Sequence, residues 1–232
     1  MKSFSLNKEQ IYRDTNTWYK NFDTPLVNPI NLNLVKRYAG LNILDVGCAT
    51  GGYCIELKKS GYNCIGVDIN KEYVRIARKN GINVCLIKDE FPFKDNSFDT
   101  VLLFEIIEHL EEPGRLLKEA KRVAKKNILI SVPNCEGFEA LRKYGLTYEH
   151  FLEMDHKNFF TRDLLAALLS RHFNNFIIKE VGSISPLLLN LDHQNFIGKI
   201  SGWSIRKFIG LCYKLKILNS SFYTGLQAVV IL

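Results

Sequence analysis

From Leu41 onward, short runs of branched apolar residues alternate with stretches whose apolar positions recur every three or four residues. That is the pattern of strands joined through crossover helices into a parallel sheet. It predicts strands at Asn42–Gly47, Cys64–Ile69, Val84–Lys88, Thr100–Ile106 and Asn127–Val132. One intervening helix runs from Gly52 to Gly61; a second, capped by Asn70, carries Tyr73, Val74 and Ala77 inward and stops at Gly81. A third starts at Pro113, where Leu116, Leu117, Ala120, Val123 and Ala124 form one apolar stripe. A fourth begins at Thr161, with Leu164/Leu168 and Leu165/Leu169 as i,i+4 pairs. Phe176–Val181 and Gln227–Leu232 read as strands with no obvious intervening βαβ signature, so the sheet is expected to finish antiparallel. The fold class is therefore α/β, a doubly wound, mostly parallel seven-stranded sheet with an antiparallel last strand.

Composition agrees with a globular chain: of 232 residues, 47% are hydrophobic and 24% charged. Intrinsic disorder and a disulfide miniprotein are excluded. A single domain over 1–232 is expected, with 1–40 as a cap, 41–181 as the core, and 182–232 as a substrate- or membrane-facing segment that includes the last strand. The six cysteines show no C-x-x-C and no zinc spacing, and read as reduced, buried residues. The N-terminal stretch lacks an apolar signal region and no run is long enough to span a bilayer, so a cytoplasmic protein is expected. Of the net +7, the last 50 residues carry five basic groups against one acidic.

The first strand runs into Asp45-Val46-Gly47-Cys48-Ala49-Thr50-Gly51-Gly52, a glycine-rich turn ahead of a helix N-terminus. Such a turn lets backbone approach a ligand closely. Asp45 argues against a pyrophosphate there, since a carboxylate two residues before the first glycine would repel it, whereas a cationic ligand is tolerated. Asp68 ends the second strand, where a carboxylate can accept ribose hydroxyls, and Asp89 follows the third. Three acidic residues at successive strand ends outline a positively charged nucleoside.

Together with Gly66-Val67-Asp68-Ile69, the run Lys88-Asp89-Glu90-Phe91-Pro92-Phe93 to Val101 and Ile130-Ser131-Val132-Pro133-Asn134, this loop resembles the class I S-adenosylmethionine-dependent methyltransferases from roughly Leu41 to Phe173. The resemblance implies a Rossmann-like methyltransferase fold and S-adenosyl-L-methionine as cofactor. It implies that Asp45, Gly47, Cys48, Ala49 and Gly51 position the methionine end. Asp68 would hold the ribose, Ile69 would pack on adenine, Asp89 and Glu90 would flank the adenine amino group, and Phe104 and Glu105 would lie beneath the methionine moiety. Two departures stand out: Ala49 replaces the more usual glycine, and Lys125-Lys126-Asn127 replaces a Pro-Gly-Gly turn.

Past the fourth strand comes Glu105-Ile106-Ile107-Glu108-His109, whose two glutamates and histidine share one face if the segment turns helically. Similar Glu-x-x-Glu-His segments occur in small-molecule methyltransferases, including those of quinone biosynthesis, and there His109 would be the general base for a hydroxyl acceptor. The pattern is also similar to small-RNA 2′-O-methyltransferases, in which Glu105, Glu108, His109 and His156 would bind a divalent ion. A purely structural His109 is the plainer alternative. No metal is expected on the favoured reading. His150, His172 and His193 are expected on the surface or in packing.

Tyr12, Trp18 and Tyr19 are candidates to close over the cofactor, and Tyr144, Tyr148 and Phe151 to line an acceptor pocket. Residues 200–218 read as a basic amphipathic helix that packs on the domain or touches lipid. The expected activity is methyl transfer to a hydroxyl of a lipid, quinone precursor or glycan intermediate. A metal-assisted RNA enzyme and a silent nucleoside-binding partner subunit are the alternatives, and nucleic acid is not the expected partner.

Overall fold

The computed structural model describes residues 27–88, 90–136, 155–184, 207–208, 211–212 and 222–232. In chain order the elements are α1 (Pro29–Tyr38), β1 (Asn42–Val46), α2 (Gly52–Lys59), β2 (Asn63–Asp68), α3 (Lys71–Lys79), β3 (Val84–Leu86), β4 (Phe98–Phe104), a 3-10 turn (Ile107–His109), α4 (Pro113–Val123), β5 (Ala124–Pro133), α5 (Arg162–Ser170), β6 (Asn175–Ile184) and β7 (Phe222–Ile231). The sheet order is β3-β2-β1-β4-β5-β7-β6. β1 pairs in parallel with β2 on one side and β4 on the other, aligning Leu44 with both Ile65 and Val101. β7 runs antiparallel between β5 and β6, pairing Val229 with Leu129 and with Ile177. This is the Rossmann-like architecture expected from the pattern. Its strand order reverses beside β1, where the carboxyl ends of β1 and β4 open a crevice.

Both faces of the central strands are buried, which is why these strands read as continuous apolar runs. Leu44, Leu103, Ile128 and Ile130 pack against Leu117 of α4 and Leu165 and Leu169 of α5. The alternate residues Ile43, Leu102, Leu129 and Val229 pack against Leu34 and Val35 of α1 and Leu57 of α2.

Several boundaries differ from the pattern, each for a local reason. α1 falls in a region given no elements. Its start is a capped one, with Asn28 Oδ1 accepting the Ile30 N–H at 2.9 Å and Pro29 in the first turn. β4 ends at Phe104 rather than Ile106, because Glu105 adopts φ 53° and leaves the extended region. Ala124, assigned above to a helical stripe, instead opens β5 opposite Phe98, and the register shifts before Thr100 meets Asn127. The Lys125-Lys126-Asn127 departure is thus a bulged strand. Lys126 Nζ meets Asp99 at 3.0 Å, and the Asn127 amide donates to Tyr38 O at 2.7 Å, closing the end of α1.

The burial pattern of α5 is directly testable. Leu165 is 0% exposed and Leu164 is 56% exposed. Urea denaturation should show Leu165→Ala losing about 2–5 kcal/mol, with Leu164→Ala within about 1 kcal/mol of the parent. Equal losses would contradict the packing described.

Candidate functional site

The glycine loop leaves β1 through three left-handed residues: Gly47 (φ 66°), Ala49 (φ 46°) and Gly51 (φ 90°). A side chain at Gly47 would also collide with Ile106. The N–H groups of Gly47 and Cys48 both donate to Val67 O, at 2.8 and 3.1 Å, stitching the loop to β2. Ala49 tolerates its unfavourable φ because its N–H donates to Asp68 Oδ2 at 2.9 Å. The other Asp68 oxygen accepts the Asn70 N–H at 2.8 Å. Each oxygen keeps a second lone pair through which a ribose hydroxyl can still bind. Cys48 lies buried with its side chain against Gly66.

Asp45 is 2% exposed beneath this loop, and the Cys54 thiol contacts its Oδ2 at 3.6 Å. Burial pushes its carboxyl up to about 7; the Cys54 hydrogen bond opposes the shift and the nearby Asp68 charge adds to it. Burial also raises the Cys48 thiol, with Asp45 and Asp68 adding to the shift. All six cysteines are free, consistent with their reading as reduced residues, although Cys64, Cys85 and Cys135 are only half-buried.

At the end of β4, Phe104 is buried and packs on Tyr53 with ring centroids 5.1 Å apart. Glu105 is exposed above it. Its N–H donates to Ser131 O at 3.0 Å, and its Oε1 accepts the Ser131 hydroxyl at 2.6 Å. Behind Ser131 lies a polar group that the sequence reading missed: the Asn31 amide donates to Ser131 Oγ (2.9 Å) and to the Tyr53 hydroxyl (3.2 Å). Burial raises the Tyr53 hydroxyl to about 12. The Asn31 carbonyl in turn accepts the Gln227 amide at 2.7 Å. The available signal was polar residues at core-facing positions of apolar elements, which are retained only where hydrogen-bonded.

The 3-10 turn places Glu108 inside, 1% exposed, and His109 half-buried. The backbone N–H groups of Lys157 and Asn158 donate to Glu108 O at 2.8 and 2.9 Å. The Asn158 amide donates to Ile107 O and Leu110 O, fixing the segment beside the turn. His156, buried, meets the His109 ring edge-on at 4.7 Å, and His109 Nδ1 lies 3.4 Å from Asp155 Oδ2. Glu108, His109 and His156 each offer a ligand atom within 4.8 Å of the others. Glu105 stands outside this group, because the left-handed φ ends the strand and its carboxylate engages Ser131. The four-residue cluster drawn from the sequence is therefore three residues here.

Ile69 is 73% exposed at the end of β2, an apolar surface open to a planar ligand. Glu90 is exposed beyond β3, and Asp89 lies outside the described residues. The loop that follows is clamped by Arg122, which donates to Phe91 O (3.1 Å), Phe93 O (2.7 Å), Asp95 and Glu119. Tyr12, Trp18, Tyr19, Tyr144, Tyr148, His150, Phe151 and His193 also lie outside the described residues. His172 packs near Gly114, and burial lowers its imidazole. In the 200–218 segment Cys212 is buried while Phe208 and Leu211 are exposed. Among the described residues, no helix is long and apolar enough to cross a membrane.

Residues 44–131 match the family described as "Methyltransferase domain". An uncharacterized protein of Methanocaldococcus jannaschii is 36% identical over 142 residues, 60% of this chain and 62% of that protein. A ubiquinone biosynthesis O-methyltransferase of Hydrogenovibrio crunogenus is 28% identical over 110 residues, 43% of this chain and 46% of the enzyme. The chain thus spans less than two thirds of the length of these curated relatives. A solved Thermotoga maritima structure, described as a possible histamine N-methyltransferase, superposes with a TM-score of 0.63 at 22% identity, covering 96% of this chain and 98% of that one. Its strand order and glycine loop, with the match over residues 44–131, make this chain similar to the class I S-adenosylmethionine-dependent methyltransferases. The cofactor of the class is S-adenosyl-L-methionine. The residues present fit it: a glycine loop permitting close approach, a buried carboxyl poised to ionise beside a cation, a carboxylate at a strand end and an exposed apolar surface.

The Asp45 carboxyl gives a pH test that needs no ligand. Its folded-state value, near 7, lies above the ordinary carboxyl value of 3.8, so the native state binds the extra proton and stability falls as pH rises between them. Between pH 5 and pH 8 the parent should lose about 2 kcal/mol relative to Asp45→Asn in urea denaturation. A pH-independent difference between the two proteins would contradict the burial account.

Proposed function

We propose that this protein transfers the methyl group of S-adenosyl-L-methionine to a hydroxyl oxygen of a small-molecule acceptor. The supporting observation is the meeting of Asp45, Asp68, Glu105 and His109 around the carboxyl ends of β1, β2 and β4. Asp45 and the backbone of Gly47, Cys48, Ala49 and Gly51 would hold the methionine end, above Phe104 and beside Glu105. Asp68 would hold the ribose, Ile69 the adenine face, and Asp89 and Glu90 the adenine amino group. Bound there, the cofactor supplies an activated methyl on a sulfonium, a good leaving group for in-line displacement.

His109 would act on the acceptor. Asp155 beside Nδ1 would orient the ring and leave Nε2 to accept the proton of the acceptor hydroxyl, whose oxygen would take the methyl group that the cofactor supplies. Residues 1–40 would cap the site, and 182–232 would supply the acceptor side. The proximity of Glu108, His109 and His156 favours a second reading: a divalent ion held there would polarise a ribose hydroxyl of RNA.

Transfer of labelled methyl to a panel of phenols, sugar alcohols and short RNAs tests the proposal. On the first reading a hydroxylated small molecule is labelled, EDTA leaves the rate unchanged, and His109→Ala lowers kcat about 100-fold or more with little change in KM for the cofactor. Activity confined to RNA, abolished by EDTA and restored by Mn²⁺, would instead establish the second reading. Cofactor binding without turnover on any acceptor would point to a silent binding subunit.

A further inference from the structure

Four side chains from four elements form one chain of hydrogen bonds running from the last strand to the candidate site. Gln227 of β7 donates to Asn31 Oδ1 (2.7 Å), Asn31 of α1 donates to Ser131 Oγ (2.9 Å), and Ser131 of β5 donates to Glu105 Oε1 (2.6 Å) at the end of β4. Gln227, Asn31 and Ser131 are all buried, whereas Glu105 is exposed. The polarity of the chain is fixed. With the Asn31 carbonyl taken by Gln227, its NH₂ faces Ser131, and an NH₂ group can only donate. The single hydroxyl proton of Ser131 is therefore directed at Glu105, and the 2.6 Å separation falls in the range of O–H to carboxylate bonds.

The same strand end is held a second time, through the Glu105 N–H on Ser131 O. Ser131 thus fixes both the backbone and the carboxylate of a residue whose φ of 53° extended structure would not supply. Core-facing positions are costly for three uncharged polar side chains unless each is satisfied, and here each bond serves the next. We propose that Asn31, Ser131 and Gln227 are positioning residues that hold the Glu105 carboxylate pre-oriented for the cationic ammonium group at the methionine end of the cofactor. This rests on the placement of that end beside Glu105 given under Proposed function.

The test compares two ligands on the full chain by titration. S-adenosylmethionine carries the ammonium, and 5′-methylthioadenosine keeps the nucleoside but lacks the amino-acid portion. Ser131→Ala should weaken S-adenosylmethionine binding about tenfold and change methylthioadenosine binding less than about twofold. Ser131→Thr, which keeps the hydroxyl, should restore the parent value. Gln227→Leu, two bonds away, should weaken only S-adenosylmethionine, by about threefold. Thermal melts check that each variant is folded, and should any be unfolded the Thr and Leu variants carry the comparison. Parent-like affinity in Ser131→Ala, or equal loss of both ligands, overturns the proposal. Glu105→Gln separates the two levels: a fall in S-adenosylmethionine affinity there with no effect of Ser131→Ala refutes the positioning chain alone. An unchanged affinity in Glu105→Gln refutes the placement of the methionine end, and the proposal with it.

Discussion

The carboxylate of Asp68 accepts the N–H of Ala49 on one oxygen and that of Asn70 on the other, and much of the crevice follows from those two bonds. The first holds a left-handed alanine in the loop after β1; the second sets the start of α3. They act across adjacent parallel strands, so the pairing of β1 with β2 determines where the glycine loop lies. Because β4 flanks β1 on its other side, Glu105 and the turn carrying His109 emerge beside the same loop. Chemistry-bearing residues distant in sequence are thereby brought to one edge by backbone pairing alone.

The charge arrangement follows from that geometry. The protein is basic overall, yet the ends of its central strands carry Asp45, Asp68, Glu105 and, one turn on, Glu108. Burial is the main reason the Asp45 carboxyl is pushed up to about 7, and repulsion from the nearby Asp68 charge adds to it. A cationic ligand relieves this mutual repulsion, whereas a pyrophosphate would add to it.

The parallel core was legible because its strands are buried on both faces and its helices carry one-sided stripes; Leu117 and Leu165 fall where periodicity puts them. The cap of α3 at Asn70 and of α5 at Thr161 likewise followed from residue type. What escaped depends on tertiary context. Helix α1 has a weak apolar pattern, so its Asn-Pro start was the readable cue. The early end of β4 depends on a backbone φ at Glu105 that residue type does not favour. Periodicity suggested that Glu105, Glu108 and His109 share a face, but the 3-10 turn and the Ser131 bond send Glu105 elsewhere. The contributions of Asn31 and Gln227 could not be read locally, since they come from opposite ends of the chain.

Calorimetric titration of the full chain with S-adenosylmethionine, with NAD as the comparison ligand, tests most directly whether the ends of β1, β2 and β4 form a site for a cationic nucleoside. One saturable site of about micromolar affinity for S-adenosylmethionine, with no measurable binding of NAD, is the expected result. Equal binding of both, or of NAD alone, would contradict it.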